Sequence, residues 1–158
     1  MKLLRIILLA LLLVIVVALV GGFVLFNKIT KGPLPTISGE IQLAGLQDTV
    51  TIKRDEWGVP AIYASNTHDL LFAQGYTHAQ DRWWQMEWFR AVGDGRLQEL
   101  TGKNADLLRN DVFIRTIGWG RAANRDLEAY DAETMAYRQG FADGVKAYIV
   151  GKNGGDLA

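Results

Sequence analysis

The sequence predicts an α+β fold, mostly helical, with one β-hairpin near its start and a transmembrane helix ahead of the hairpin. Three observations carry this. A long charge-free apolar run opens the chain, two β-rich runs flank the turn "DEWG", and capping residues followed by helical apolar spacing recur from about residue 67 onward.

The apolar run is "IILLALLLVIVVALVGGFVLF", Ile6 to Phe26. At about 1.5 Å per residue, a helix of roughly 21 residues matches the ~30 Å hydrocarbon core of a bilayer. Lys2 and Arg5 precede it and Lys28 and Lys31 follow, so the flanking charge is nearly balanced. The amine of the first residue tips the orientation towards a cytoplasmic N-terminus. A cleaved signal peptide is the competing reading, with small residues at "VGG", but its apolar region usually spans only about 7 to 15 residues. Both readings export the remainder. Residues 1–27 are therefore expected to anchor the chain as a single pass in the inner (plasma) membrane, with its bulk on the periplasmic or extracellular side. Residues 28–47, which include "KGPLPTISG", lack apolar periodicity and read as an extended linker. The folded portion is then 48–158.

In "TVTIKRDEWGVPAIYAS", 49–65, Val50 and Ile52 alternate with polar residues before the turn, and Val59 and Ile62-Tyr63 follow it. Gly58 is available for positive φ. Pro60 cannot donate to the ladder, so the second strand should lie at an edge or start late. Asn66 or Thr67 then caps a single long helix over about 68–92, with Asp69 in its first turn. Further helices are expected near 94–101, 104–117, 119–128 and 131–150, the last capped at Asp131.

The first helix contains "HAQDRWWQMEWF", 78–89, too aromatic for a solvated face and too polar for an ordinary core. On a helical wheel Phe72, Tyr76, Ala79, Trp83 and Met86 share an arc of about 80°. His78, Asp81, Arg82 and Gln85 share a neighbouring arc of about 100°, with Trp84 and Trp88 beyond it. A polar strip between two apolar walls is expected to be buried, and its charges to be paired. His78 with Arg82, and Asp81 with Gln85, lie one turn apart and could bond locally. The strip reads as architecture. One His, one Asp and a competing Arg do not make a zinc or calcium ligand set. The two serines, Ser38 and Ser65, lie in the linker and at a strand end, and there is no GxSxG or HExxH. No catalytic, cofactor-binding or metal-binding residue is assigned.

Composition narrows the function further. Basic and acidic residues number 17 each, which gives no argument for nucleic acid as a partner. The absence of cysteine removes disulfides and thiolate chemistry.

The segment from Arg54 to Gly102, "RDEWGVPAIYASNTHDLLFAQGYTHAQDRWWQMEWFRAVGDGRLQELTG", resembles the start of the penicillin amidase family, which includes acyl-homoserine lactone acylases. The hairpin motif, the "FAQGYTHAQDRWWQME" helix and "GRLQELTG" follow in the family's order, and "QGFADGVKAYI", 139–149, is similar to a later helix. Ala61 departs from the His that many members carry there. The resemblance implies an N-terminal nucleophile hydrolase of αββα architecture when complete, made as an exported precursor that cuts itself into α and β chains. The nucleophile, usually Ser, would open the β chain and use its own α-amino group as base. The match covers only the beginning of an α chain, so the nucleophile, the oxyanion-hole donors and the calcium ligands of some members would lie beyond Ala158. The implied partners are the C-terminal β-chain portion, a small-molecule amide substrate, and the membrane through residues 6–26. No cofactor is implied for residues 1–158, and calcium is an option for the complete protein.

The hairpin's unpaired edges and the loop-like "GKNGGDLA" lead to the expectation that this is the front part of a larger protein. The function expected of that protein is hydrolysis of linear C–N amide bonds, residues 1–158 alone being inactive. The alternative is a membrane-tethered interaction domain related to an acylase α chain, without activity.

Overall fold

A computed structural model describes residues 2–32, 34, 36–150 and 152. Eight elements follow in order: α1 (Lys2–Lys31), β1 (Thr51–Arg54), β2 (Pro60–Tyr63), α2 (Thr67–Asp94), α3 (Leu97–Thr101), α4 (Ala105–Ile117), α5 (Trp119–Ala129) and α6 (Ala132–Ile149). Among the described residues the fold is mostly helical with one two-stranded sheet. The chain divides into two compact units, 1–38 and 39–158.

In the first unit α1 is long and apolar enough to cross a membrane over Leu4–Lys31. Its polar C-terminal residues satisfy themselves on the helix: Asn27 donates to the Phe23 carbonyl and Thr30 to that of Phe26.

In the second unit β1 and β2 pair antiparallel, Arg54 opposite Pro60 and Thr51 opposite Tyr63. Pro60 takes the first position of its strand, where its missing N–H costs least. Asp55 builds the turn: its carboxylate accepts from the N–H groups of Trp57 and Val59 at 2.9 and 2.8 Å. Gly58 adopts φ +79°, as the turn requires.

The Asn66 side chain caps α2 by accepting from the Asp69 N–H, and Gly95, in the left-handed region, closes it. This end falls at Asp94, inside the helix expected over 94–101, and the observed α3 is only Leu97–Thr101. Nor is α2 one uninterrupted helix. Arg82 leaves helical geometry, at φ −143° and ψ 30°, and kinks it.

The α2–α6 crossing forms most of the core, which contains Phe72, Ala73, Ala79 and Tyr148. Glycines permit it: a Cβ on Gly75 would strike the Phe141 carbonyl, and one on Gly144 would strike the Phe72 carbonyl. The two helices meet backbone to backbone. At the other end, the buried Asp111 of α4 accepts from the N–H groups of Leu97 and Gln98, both at 3.0 Å, and so caps α3. Asn104 and Asp131 cap α4 and α6. No residue of α5 is buried.

Candidate functional site

The polar strip of α2 does not have the environment expected of it. His78, Asp81, Arg82 and Gln85 are all exposed. The reason is geometric. The expectation rested on one continuous wheel, but the kink at Arg82 ends the phase relationship between the residues before it and those after it. The α6 contacts through Gly75 and Gly144 lie before the kink. The His78 ring makes an edge-to-face approach to the Phe141 ring of α6, with centroids 5.6 Å apart. No side-chain hydrogen bond or ion pair joins His78, Arg82 or Gln85 to another described residue.

Asp81 is paired, but not within its helix. Its partner is Arg54 at the end of β1. Both guanidinium Nη atoms donate to the Asp81 carboxylate at 2.9 Å, Nη1 also donates to the Gly58 carbonyl at 2.8 Å, and Nη2 to Gln80 Oε1 at 2.8 Å. The Arg54 side chain is only 12% exposed. One guanidinium thus fastens the hairpin turn to α2 immediately before the kink. Planar, two-pronged donation of this kind is what Arg offers and Lys does not. Because Asp81 has both oxygens committed to a cation, it is a fastening rather than a free general base. Asp81 is thus paired with the hairpin and not, as expected, with Gln85 one turn along.

A second polar centre escaped the sequence reading. Asp69 is fully buried. Its carboxylate accepts from the N–H groups of Gln47 (3.0 and 3.2 Å) and Asp48 (2.8 Å), from Asn66 Nδ2 (2.8 Å) and from His68 Nδ1 (3.0 Å). Burial alone would push this carboxyl up. The bonds from Gln47, His68, Asn66 and Asp48 outweigh it and hold Asp69 well below the ordinary carboxylate range. The residue expected only to complement the helix dipole thus pins the segment entering β1. The spacing Asn66-x-x-Asp69 was a usable signal, since an acidic residue three after an N-cap folds back on the cap.

The serines offer no activated hydroxyl. Ser65 Oγ donates to the Asp48 carboxylate at 2.8 Å, and Ser38 is exposed. No imidazole or amine bonds to either among the described residues. Among those residues, too, no three His, Asp or Glu side chains gather as a metal-ligand set.

Comparison with known proteins adds what the geometry lacks. The sequence profile of the family described as Penicillin amidase matches residues 49–157. The penicillin acylase 2 proenzyme of Pseudomonas sp. (strain SE83) is 38% identical over 119 residues, 75% of this chain and 15% of that protein. Acyl-homoserine lactone acylase QuiP of Pseudomonas fluorescens (strain Pf-5) is 38% identical over 120 residues, 76% of this chain and 15% of its own length. Among solved structures, the thermostable penicillin G acylase from Alcaligenes faecalis superposes with a TM-score of 0.57 at 28% identity, covering 63% of this chain and 52% of that one. The chain thus spans about 15% of the length of these two relatives.

Proposed function

The chain belongs to the penicillin amidase family, and on that premise we propose that it is the N-terminal, α-chain portion of an exported, membrane-anchored amidase that hydrolyses linear C–N amide bonds. The observation that carries this is the match over residues 49–157 to proteins of which the chain spans about 15%.

In this reading residues 1–27 anchor the protein, 28–47 tether it, and 48–158 contribute scaffold to an αββα fold completed by a β chain. Two further observations support it: α1 has the length and composition of a membrane span, and large apolar side chains such as Trp57, Trp84, Phe89 and Phe113 stand exposed on the folded unit. The chemistry belongs to the residue that opens the β chain. Its hydroxyl attacks the amide carbonyl while its own α-amino group takes the proton. Hydrogen-bond donors hold the tetrahedral oxyanion. The amine leaves with that proton, and water releases the acyl group. Residues 1–158 supply no reacting atom; Arg54, Asp69 and Asp81 hold the scaffold in shape. Penicillins and N-acyl-homoserine lactones are the substrate types to test.

The experiment compares residues 1–158 with the product of the whole reading frame on phenylacetyl and long-chain acyl amides. Turnover by the whole product and none by residues 1–158 is expected. Turnover by residues 1–158, lost on mutating one of them, would overturn the reading.

A further inference from the structure

Arg82 marks the kink of α2, and its side chain is exposed. Among the described residues no carboxylate pairs with it, while every acidic side chain of the same helix is already held. Asp69 accepts from Gln47, Asp48, Asn66 and His68, Asp81 from Arg54, Glu87 from Arg90, and Asp94 from Arg96. We propose that in the two-chain protein Arg82 pairs with an Asp or Glu carboxylate of the β chain, within an aromatic docking surface that includes Trp57, Trp84 and Phe89. The proposal rests on the reading of residues 1–158 as an α-chain portion.

The hairpin clamp assembles this surface. Arg54 donates to the Gly58 carbonyl and to Asp81 at once, which brings the turn holding Trp57 beside the residue that precedes Arg82. Trp57 is 83% exposed and Trp84 51%, and Val59 and Phe89 are exposed as well. The Trp84 and Trp88 rings pair with centroids 6.4 Å apart. The clamp fixes the turn and the ring pair fixes Trp84, so little ordering is left for a partner to impose when it docks.

The side-chain chemistry selects the partner. Trp and Arg are enriched among the residues that carry the energy of protein interfaces. One guanidinium among exposed rings is a poor match for nucleic acid, which calls for several cations along a backbone. It suits a single carboxylate, which a guanidinium grips through two parallel N–H···O bonds. A purely apolar partner would leave the guanidinium buried and unpaired, a costly arrangement. Gln85, and His78 one turn before Arg82, add exposed hydrogen-bonding groups on the same helix. The relatives that this chain matches extend far beyond it: it spans about 15% of their length. Most of such a protein is therefore left to cover this face, and the β chain is the occupant.

The test uses the product of the whole reading frame carrying Arg82→Lys, which keeps the charge and opens the position to carbodiimide coupling. Peptide mass spectrometry of the treated protein should find an amide between position 82 and an Asp or Glu of the β chain, absent from wild type. In Arg82→Ala the two chains should separate in moderate urea at least about tenfold faster than in wild type, as for loss of one partner of a buried charge pair. The same substitution in residues 1–158 alone should leave the urea midpoint unchanged, since there the side chain is exposed. Coupling of position 82 only within its own chain, no coupling at all, or equal separation rates would overturn the proposal and leave the α-chain reading standing. So would an equal loss of stability in residues 1–158 alone, which would place the role of Arg82 inside this chain. A product with no second chain would overturn both.

Discussion

Arg54 and Asp81, 27 residues apart, meet in two hydrogen bonds of 2.9 Å, and the same guanidinium holds the Gly58 carbonyl and Gln80. A single side chain therefore joins the hairpin turn to α2. A two-stranded hairpin is marginal alone, so the joint decides whether β1 and β2 hold their place.

Arg54→Ala should accordingly destabilise the folded unit by about 1.5 to 3 kcal/mol, the range for hydrogen bonds to charged groups. Arg54→Lys should recover less than half of that, because an ammonium cannot reproduce the paired geometry. A double-mutant cycle with Asp81→Ala, followed by urea denaturation, should give a coupling above about 1 kcal/mol. Additive effects would mean the contact is incidental. Arg82→Ala should change stability by less than about 0.5 kcal/mol, as expected of an exposed side chain without a partner.

The α2–α6 crossing makes a sharper forecast. Gly144→Ala places a methyl group against the Phe72 carbonyl, which is backbone and cannot swing aside. The cost should reach or exceed about 3 kcal/mol, the upper end of ordinary overpacking. Gly93→Ala, where a Cβ meets nothing within 4 Å, should be neutral or slightly stabilising through helix propensity. Thermal unfolding of the two variants checks the contrast.

Asp69 gives the folded unit a defined acid response. Its carboxyl is held below the ordinary range in the folded state, so the unfolded chain binds the proton more readily. The stability contributed is complete at pH values above the unfolded pKa of about 3.9 and fades as pH falls below it towards the folded value. Asp69→Asn should lose roughly 2 to 3 kcal/mol at pH 7. The gap from wild type should narrow steadily in urea melts below about pH 4. A gap independent of pH would show that the charge is not what matters.

Local signals in the sequence anticipated most elements because they act over short range. Asn66, Asn104 and Asp131 cap the helices that follow them, and Gly58 takes the positive φ of its turn. What could not be read were relationships between distant residues. Nothing local to Asp81 points to Arg54 rather than Gln85. Nothing near Asp69 shows that its carboxylate turns towards Gln47 and Asp48. The helical wheel assumed a straight axis, so the kink at Arg82 reversed the burial expected for the strip. Gly75 lies inside the long helix expected over 68–92 with no local sign that it marks the close approach of Phe141.

The central claim is that these residues serve as the anchored α-chain portion of a two-chain amidase. Intact mass spectrometry of the protein purified from membranes, after expression of the whole reading frame, tests it most directly. The account predicts two co-purifying chains. One begins at or next to Met1 and retains α1, and the other begins with a nucleophilic residue, Ser first among them. A single chain ending near residue 158, with no second chain bound, would contradict it.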